Sequence, residues 1–259
     1  MSVEKIEYYL GKDEFKDKYF KSEFPPAYQD IFSKQIKPEE YRSAVLKINQ
    51  WSPDITFAFN NLGYRSNFDY SIEKFKNKKL ILCLGCTDTF GLQLNYKDIW
   101  PTNLSEQMPN HVVLNMGIIG GSCDTISRVL VKITQVLGEE ITAVCVLWPH
   151  NNRREFVSKE FTGIITSHDG EIIPYEDYWD FIDWKSDNYN IFKNKHLVTN
   201  IAKANNFSLF DLTINRFDKR VPFDFAGKYY ALGPNSHHAI SNYFYKKIMG
   251  LPSVFENGK

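Results

Sequence analysis

Three short apolar runs constrain this chain more than any other feature: Leu80–Leu84, His111–Gly117 and Ile141–Pro149. Within each, apolar residues follow one another instead of alternating with polar ones, the pattern of strands covered on both faces. Between the second and third runs, Ile126, Val129, Leu130, Ile133, Val136 and Leu137 recur at helical spacing, and Gly138 closes the segment. A fourth strand, Phe207–Leu212, follows a predicted helix around Lys193–Asn205, and a last helix is predicted from about Ser236 to Met249. Strand–helix alternation of this kind packs as a parallel sheet with helices on both faces. Ligands of such sheets collect at the carboxyl ends of the strands. The residues that follow each run are therefore the ones to search for chemistry.

Composition narrows the partners. Thirty-one basic residues balance 31 acidic ones among the 259, so no global field draws nucleic acid or an anionic membrane. No stretch approaches the roughly 20 apolar residues of a membrane-spanning helix. The N-terminal "MSVEKIEYYLGKDEF" has no apolar signal region, which points to a cytoplasmic protein with reduced thiols. Cys83 and Cys86 form a CxxC, but Cys83 falls inside the first run and no second ligand pair stands at zinc spacing. No metal and no cofactor are expected. Neither GxGxxG nor GxxxxGK[ST] occurs, which argues against nucleotide binding. Residues 1–75 differ in character: helical pieces around Pro25–Pro26, then a strand and turn in "DITFAFNNLGYRS". They read as an extension packed on an α/β domain of residues 76–259, with Lys74–Lys79 ("KFKNKK") as a solvated connector.

The first run breaks into Gly85-Cys86-Thr87-Asp88-Thr89-Phe90-Gly91. This turn resembles the first block of the SGNH (GDSL-like) hydrolase superfamily, in which a serine after the first core strand is the nucleophile. The likeness is nearest to a phage and environmental subgroup with a Gly-Cys-Ser turn and an N-terminal extension, to part of which "NLGYRS" (Asn61–Ser66) is similar. It implies a flavodoxin-like, three-layer α/β/α sandwich with a mainly parallel sheet, ester hydrolysis, and a virus-encoded origin. "NMGIIGGS" (Asn115–Ser122) looks like the second block, with Gly120 at the oxyanion glycine. A glycine there lets a backbone N–H approach a developing oxyanion. "LWPHNNRREF" (Leu147–Phe156) stands where the third block supplies a second oxyanion donor; Asn151 is favoured over His150 and Asn152. Arg153 and Arg154 read first as solvated or ion-paired surface residues, with a carboxylate-bearing substrate as the alternative.

The fourth block should carry Asp-x-x-His before the last helix. "AGKYYALGPNSHHAI" (Ala226–Ile240) keeps its Gly233, Pro234, Ser236 and His237, but the same register puts Lys228 at the aspartate and Ala231 at the catalytic histidine. The resemblance spans about Asp54 to Ile248 and fails at the residues that do the chemistry. Thr87 stands at the nucleophile, where its methyl restricts the side chain. A lysine would repel an imidazolium instead of orienting it. Loss of a triad member in a comparable enzyme lowers kcat by about four to six powers of ten. The residues left to act are Thr87 as nucleophile and His237 as base, since His237 shares the inward face of Ile240, Phe244 and Ile248 while His238 points elsewhere. Asp224 or Asp88 could be the carboxylate partner, His150 is a further base, and Cys86 and Asn152 complete the cleft candidates. Two functions follow: an ester hydrolase, acting for instance on an acylated carbohydrate, with impaired or lost activity; or a pseudoenzyme that binds a glycan or another small ligand, or serves as an interaction module.

Overall fold

The computed structural model describes residues 55, 58, 60, 64–118, 121–149, 153–157, 162–166, 184–213, 224–226 and 231–252. In chain order the elements are α1 (Ile72–Phe75), β1 (Leu80–Gly85), α2 (Thr87–Phe90), a 3-10 turn (Tyr96–Asp98), α3 (Trp100–Gln107), β2 (Val112–Gly117), α4 (Cys123–Leu137), β3 (Ile141–Trp148), β4 (Arg153–Val157), β5 (Thr162–Thr166), α5 (Trp184–Asn205), β6 (Ser208–Thr213), β7 (Phe225–Ala226), β8 (Ala231–Leu232) and α6 (Pro234–Ile248).

β2, β1, β3 and β6 form one sheet in that order, every pair parallel. Its two faces follow from strand alternation. Leu80, Leu82 and Leu84 join Leu114, Met116, Val144 and Val146 on one face, covered by Ile126, Val129, Leu130 and Ile133 of α4 and Val198 and Ala202 of α5. Ile81, Cys83, Val113, Ala143, Cys145 and Leu147 point the other way, against Trp100 and Leu104 of α3 and Ile240, Tyr243 and Phe244 of α6. This is the three-layer α/β/α sandwich. Each fully buried leucine or phenylalanine contributes about 1.5–3 kcal/mol.

The four predicted strands and the three predicted helices form where the periodicity places them, with differences at the ends. α5 begins at Trp184, well before the predicted start. Gly138 ends α4 without a left-handed turn (φ −58°); a side chain there would come within 3.1 Å of Asn205 Oδ1. At the other end of α4, Ser122 Oγ accepts the Thr125 N–H while Thr125 Oγ1 accepts that of Ser122, a reciprocal cap. Two antiparallel pairs, β4–β5 and β7–β8, were not expected. "KFKNKK" is not wholly a solvated connector: Phe75 is buried and ends α1, while Lys74, Lys76, Lys78 and Lys79 are exposed. Of the expected strand and turn upstream, the described residues show backbone bonds from Asn60 to Tyr64 and from Ser66 to Ala58. Tyr64, Tyr70 and Phe75 enter the same core face as β1, so this part of the extension shares the core.

Candidate functional site

β1 ends between its two neighbours, with Gly85 paired to Gly117 of β2 on one side and Leu147 of β3 on the other. The chain leaves β1 for the α3 face and leaves β2 for the α4 face. The carboxyl end of β1 is thus where the connections diverge, the usual ligand crevice of an open α/β sheet.

Close packing dictates the turn. At Gly85 a Cβ would fall 2.0 Å from Thr89 Oγ1, and at Gly117 it would fall 2.3 Å from the backbone nitrogen of Phe90. Only glycines let α2 lie directly on β1 and β2. Gly91 then ends α2 in the left-handed region (φ 82°), returning its N–H to Thr87 O. Thr87, half-buried, is the first residue of α2. Cys86, the residue before it, is buried, and its Cβ lies 3.8 Å from where a Cβ on Gly121 would be. Ile118 N–H donates to Gly85 O, and Gly121 N–H back to Ile118 O, so the first and second sequence blocks are joined through their backbones. Asn115 contributes to this junction by accepting the Gly117 N–H on Oδ1 at 3.0 Å.

The fourth block also arrives here. Asp88 Oδ1 accepts the Leu232 N–H at 3.3 Å, which holds β8 against the Thr87 turn. Ala231, at the expected place of a catalytic histidine, is 6% exposed. Lys228, Gly120, His150, Asn151 and Asn152 lie outside the described residues.

His237 is buried as its helical face predicts, and His238 is exposed. His237 Nδ1 accepts the backbone N–H of Trp100 at 3.0 Å. That N–H is the first of α3 and has no partner within the helix; Pro101, next in line, has none to offer. With Nδ1 accepting, the neutral ring carries its proton on Nε2. Burial pulls the pKa down to about 4; Asp88, Asp224 and Asp98 pull the other way and Arg65 adds to the depression. The group is a neutral acceptor that ties α3 to α6.

Asp224 is engaged elsewhere as well. Its carboxylate accepts the backbone N–H groups of Asn235 (3.0 Å) and Ser236 (2.7 Å) and the Ser236 hydroxyl (2.6 Å), capping α6. Burial works against its charge, but these bonds outweigh it and hold the carboxyl below its ordinary range. Gly233 is required beside it, since a Cβ there would come 2.5 Å from Asp224 Cγ. Gly233, Pro234 and Ser236 therefore build a helix start.

One important residue escaped the sequence reading. Arg65, in "NLGYRS", is 0% exposed and donates to the carbonyls of Phe90 (3.3 Å), Gly91 and Leu94 (2.6 Å), with its guanidinium 5.6 Å from the Phe90 ring centre. Burial lowers its pKa to about 10, with Tyr96 opposing, so it stays charged at neutral pH. It holds the loop that follows Thr87. The likeness of that hexapeptide to a family segment was the available signal, but it carried no role.

The cysteines are all free. Burial raises the Cys83, Cys123 and Cys145 thiols, Cys123 to about 12, so these three are packing groups and not thiolates. Among the described residues no cluster of three His, Cys, Asp or Glu side chains could hold a metal, and no helix is long and apolar enough to cross a membrane.

No protein-family model matches the chain, and no curated protein matches it in sequence. Solved structures do resemble it. A protein of the lipolytic G-D-S-L family from Desulfitobacterium hafniense DCB-2 is 12% identical over 65% of this chain and 99% of its own, with a TM-score of 0.38. A second crystal structure is similar to the chain at 12% identity, over 67% of it and 98% of the other chain, with a TM-score of 0.37.

Proposed function

We propose that the chain is an SGNH-type ester hydrolase by ancestry whose hydrolytic activity is impaired or lost, and whose cleft at the end of β1 still binds a small ligand. The observation that carries this reading is the contact between Asp88 and Leu232. It joins the Thr87 turn to β8, where Ala231 takes the place of a base. Thr87 then has a hydroxyl to present and no imidazole from that strand to deprotonate it. His237 does not replace the base in this reading. It is a positioning residue, because its accepting nitrogen is committed to Trp100. Gly120 and Asn151 serve as oxyanion donors.

The test is reconstruction. Wild type, Thr87→Ala and the triple variant Thr87→Ser/Lys228→Asp/Ala231→His are compared on short-chain p-nitrophenyl esters. Restoring nucleophile, base and orienting carboxylate should raise the rate by about two to four powers of ten, part of what a complete triad supplies. Thr87→Ala should leave the wild-type rate unchanged within a fewfold. A folded triple variant no faster than wild type refutes the ancestry reading. A wild-type rate that collapses in Thr87→Ala shows that the chemistry is intact.

A further inference from the structure

β4 starts within the third sequence block, and its first two residues are arginines with different surroundings. Arg154 is buried and paired with Asp187 at 2.6 Å. Lys193 pairs with Asp124 (3.0 Å) and Lys195 with Asp211 (2.9 Å). Arg153, half-buried, faces no carboxylate among the described residues. The contact of its guanidinium is a long one, Nη1 to Gly121 O at 3.4 Å. Its backbone is fixed: its carbonyl accepts from Arg154 Nη1 (3.1 Å) and Asn190 Nδ2 (3.4 Å), and β4 pairs it with Thr166.

Gly121 is the residue that places this cation. Its carbonyl meets Arg153, and its α-carbon faces Cys86, the residue before Thr87. The guanidinium and the nucleophile turn therefore flank one glycine. Five N–H donors in a planar fork, with one long bond to a neutral carbonyl, are matched to an incoming carboxylate.

We infer that Arg153 is the specificity determinant of the cleft and anchors a carboxylate on the ligand, so that the site takes an acyl ester, or its alcohol product, bearing an acidic group. The inference rests on the cleft proposed above but not on turnover, and the two fail separately. Binding of 4-hydroxybenzoate and of its neutral isostere 4-hydroxybenzamide is measured by calorimetry and by NMR of the arginine Nε–H signals, for wild type, Arg153→Gln and Arg153→Lys. Hydrolysis of the corresponding acetate esters is followed in parallel. Wild type should favour the carboxylate by roughly ten- to hundredfold, the range of a charge-assisted hydrogen bond. Arg153→Gln should erase the preference, and Arg153→Lys should keep part of it. Equal affinities in wild type, no binding of either probe, or a preference that survives in folded Arg153→Gln overturns the inference. Selective binding without hydrolysis of either ester upholds it and bears only on the chemistry.

Discussion

Holding His237 neutral in the core makes the protein's stability depend on pH in a calculable way. An imidazole titrates near 6.5 in the unfolded chain, whereas burial lowers this one to about 4 in the fold. Between those values the unfolded chain binds a proton that the folded protein excludes. The contribution is fully present above pH 6.5, is lost progressively as pH falls toward about 4, and changes no further below that. At about 1.4 kcal/mol per unit the whole effect is about 3 kcal/mol, most of it expended by about pH 4.5. His237→Asn is the informative variant: its side-chain oxygen can accept from Trp100 N–H as Nδ1 does, and it does not titrate. Urea unfolding of both proteins from about pH 7.5 to about pH 4.5 gives the comparison. Wild type should lose about 2–3 kcal/mol more than His237→Asn over that interval. Carboxylates that titrate in both proteins cancel in the difference. Parallel pH profiles for wild type and His237→Asn would refute the reasoning. They would mean that the fold does not hold the His237 imidazole neutral below its ordinary range, and His237 would again be a candidate base.

Three further perturbations address the frame around Thr87. Gly117→Ala drives a methyl into the backbone of Thr89 and Phe90, and thermal melts should show a loss of about 2–4 kcal/mol, against under about 1 for Gly121→Ala, whose nearest neighbour is 3.0 Å away. Arg65→Met keeps the length but strips donors from the Phe90, Gly91 and Leu94 carbonyls; a loss of at least about 3 kcal/mol is expected, and one below about 1 would show that the loop holds without it. Gly233→Ala collides with Asp224, so it should destabilise wild type by about 2 kcal/mol or more and cost less in an Asp224→Ala background, a coupling that a double-mutant cycle reads directly.

The parts of this architecture legible in the sequence were those governed by periodicity. The runs at Leu80, Val112 and Ile141 are mostly apolar because helices cover both faces, and that pattern needs no partner to be recognised. The inward face of α6 was equally clear, and it put His237 in the core. Its partner was not legible, because the Trp100 N–H that it accepts is 137 residues away and belongs to a backbone group that any sequence supplies. The same holds for Asp224, which read as a partner for His237 and proved to cap a helix 11 and 12 residues further on. Arg65 was hidden differently: its acceptors are carbonyls, which leave no trace in residue type. β4 and β5 are short and carry no alternation strong enough to distinguish them from a loop.

These contacts separate two kinds of residue that a motif runs together. In "GPNSH", Gly233 makes room for Asp224, Pro234 opens α6, Ser236 binds the capping carboxylate and His237 binds α3. In the first block, Gly85 admits Thr89 and Gly91 turns the chain, while Gly117 of the second admits α2. Every one of these is held by packing or a backbone hydrogen bond, so its loss would weaken the fold whether or not the protein turns over a substrate. Ala231 is different: no hydrogen bond among the described residues depends on a histidine there. In the reading proposed above, chemistry lapses at such a position without disturbing the frame. In that reading, a ligand-binding role needs only the frame and the groups that line it, and Arg153, which faces no carboxylate among the described residues, bears on that role more than the residues that the motif lacks.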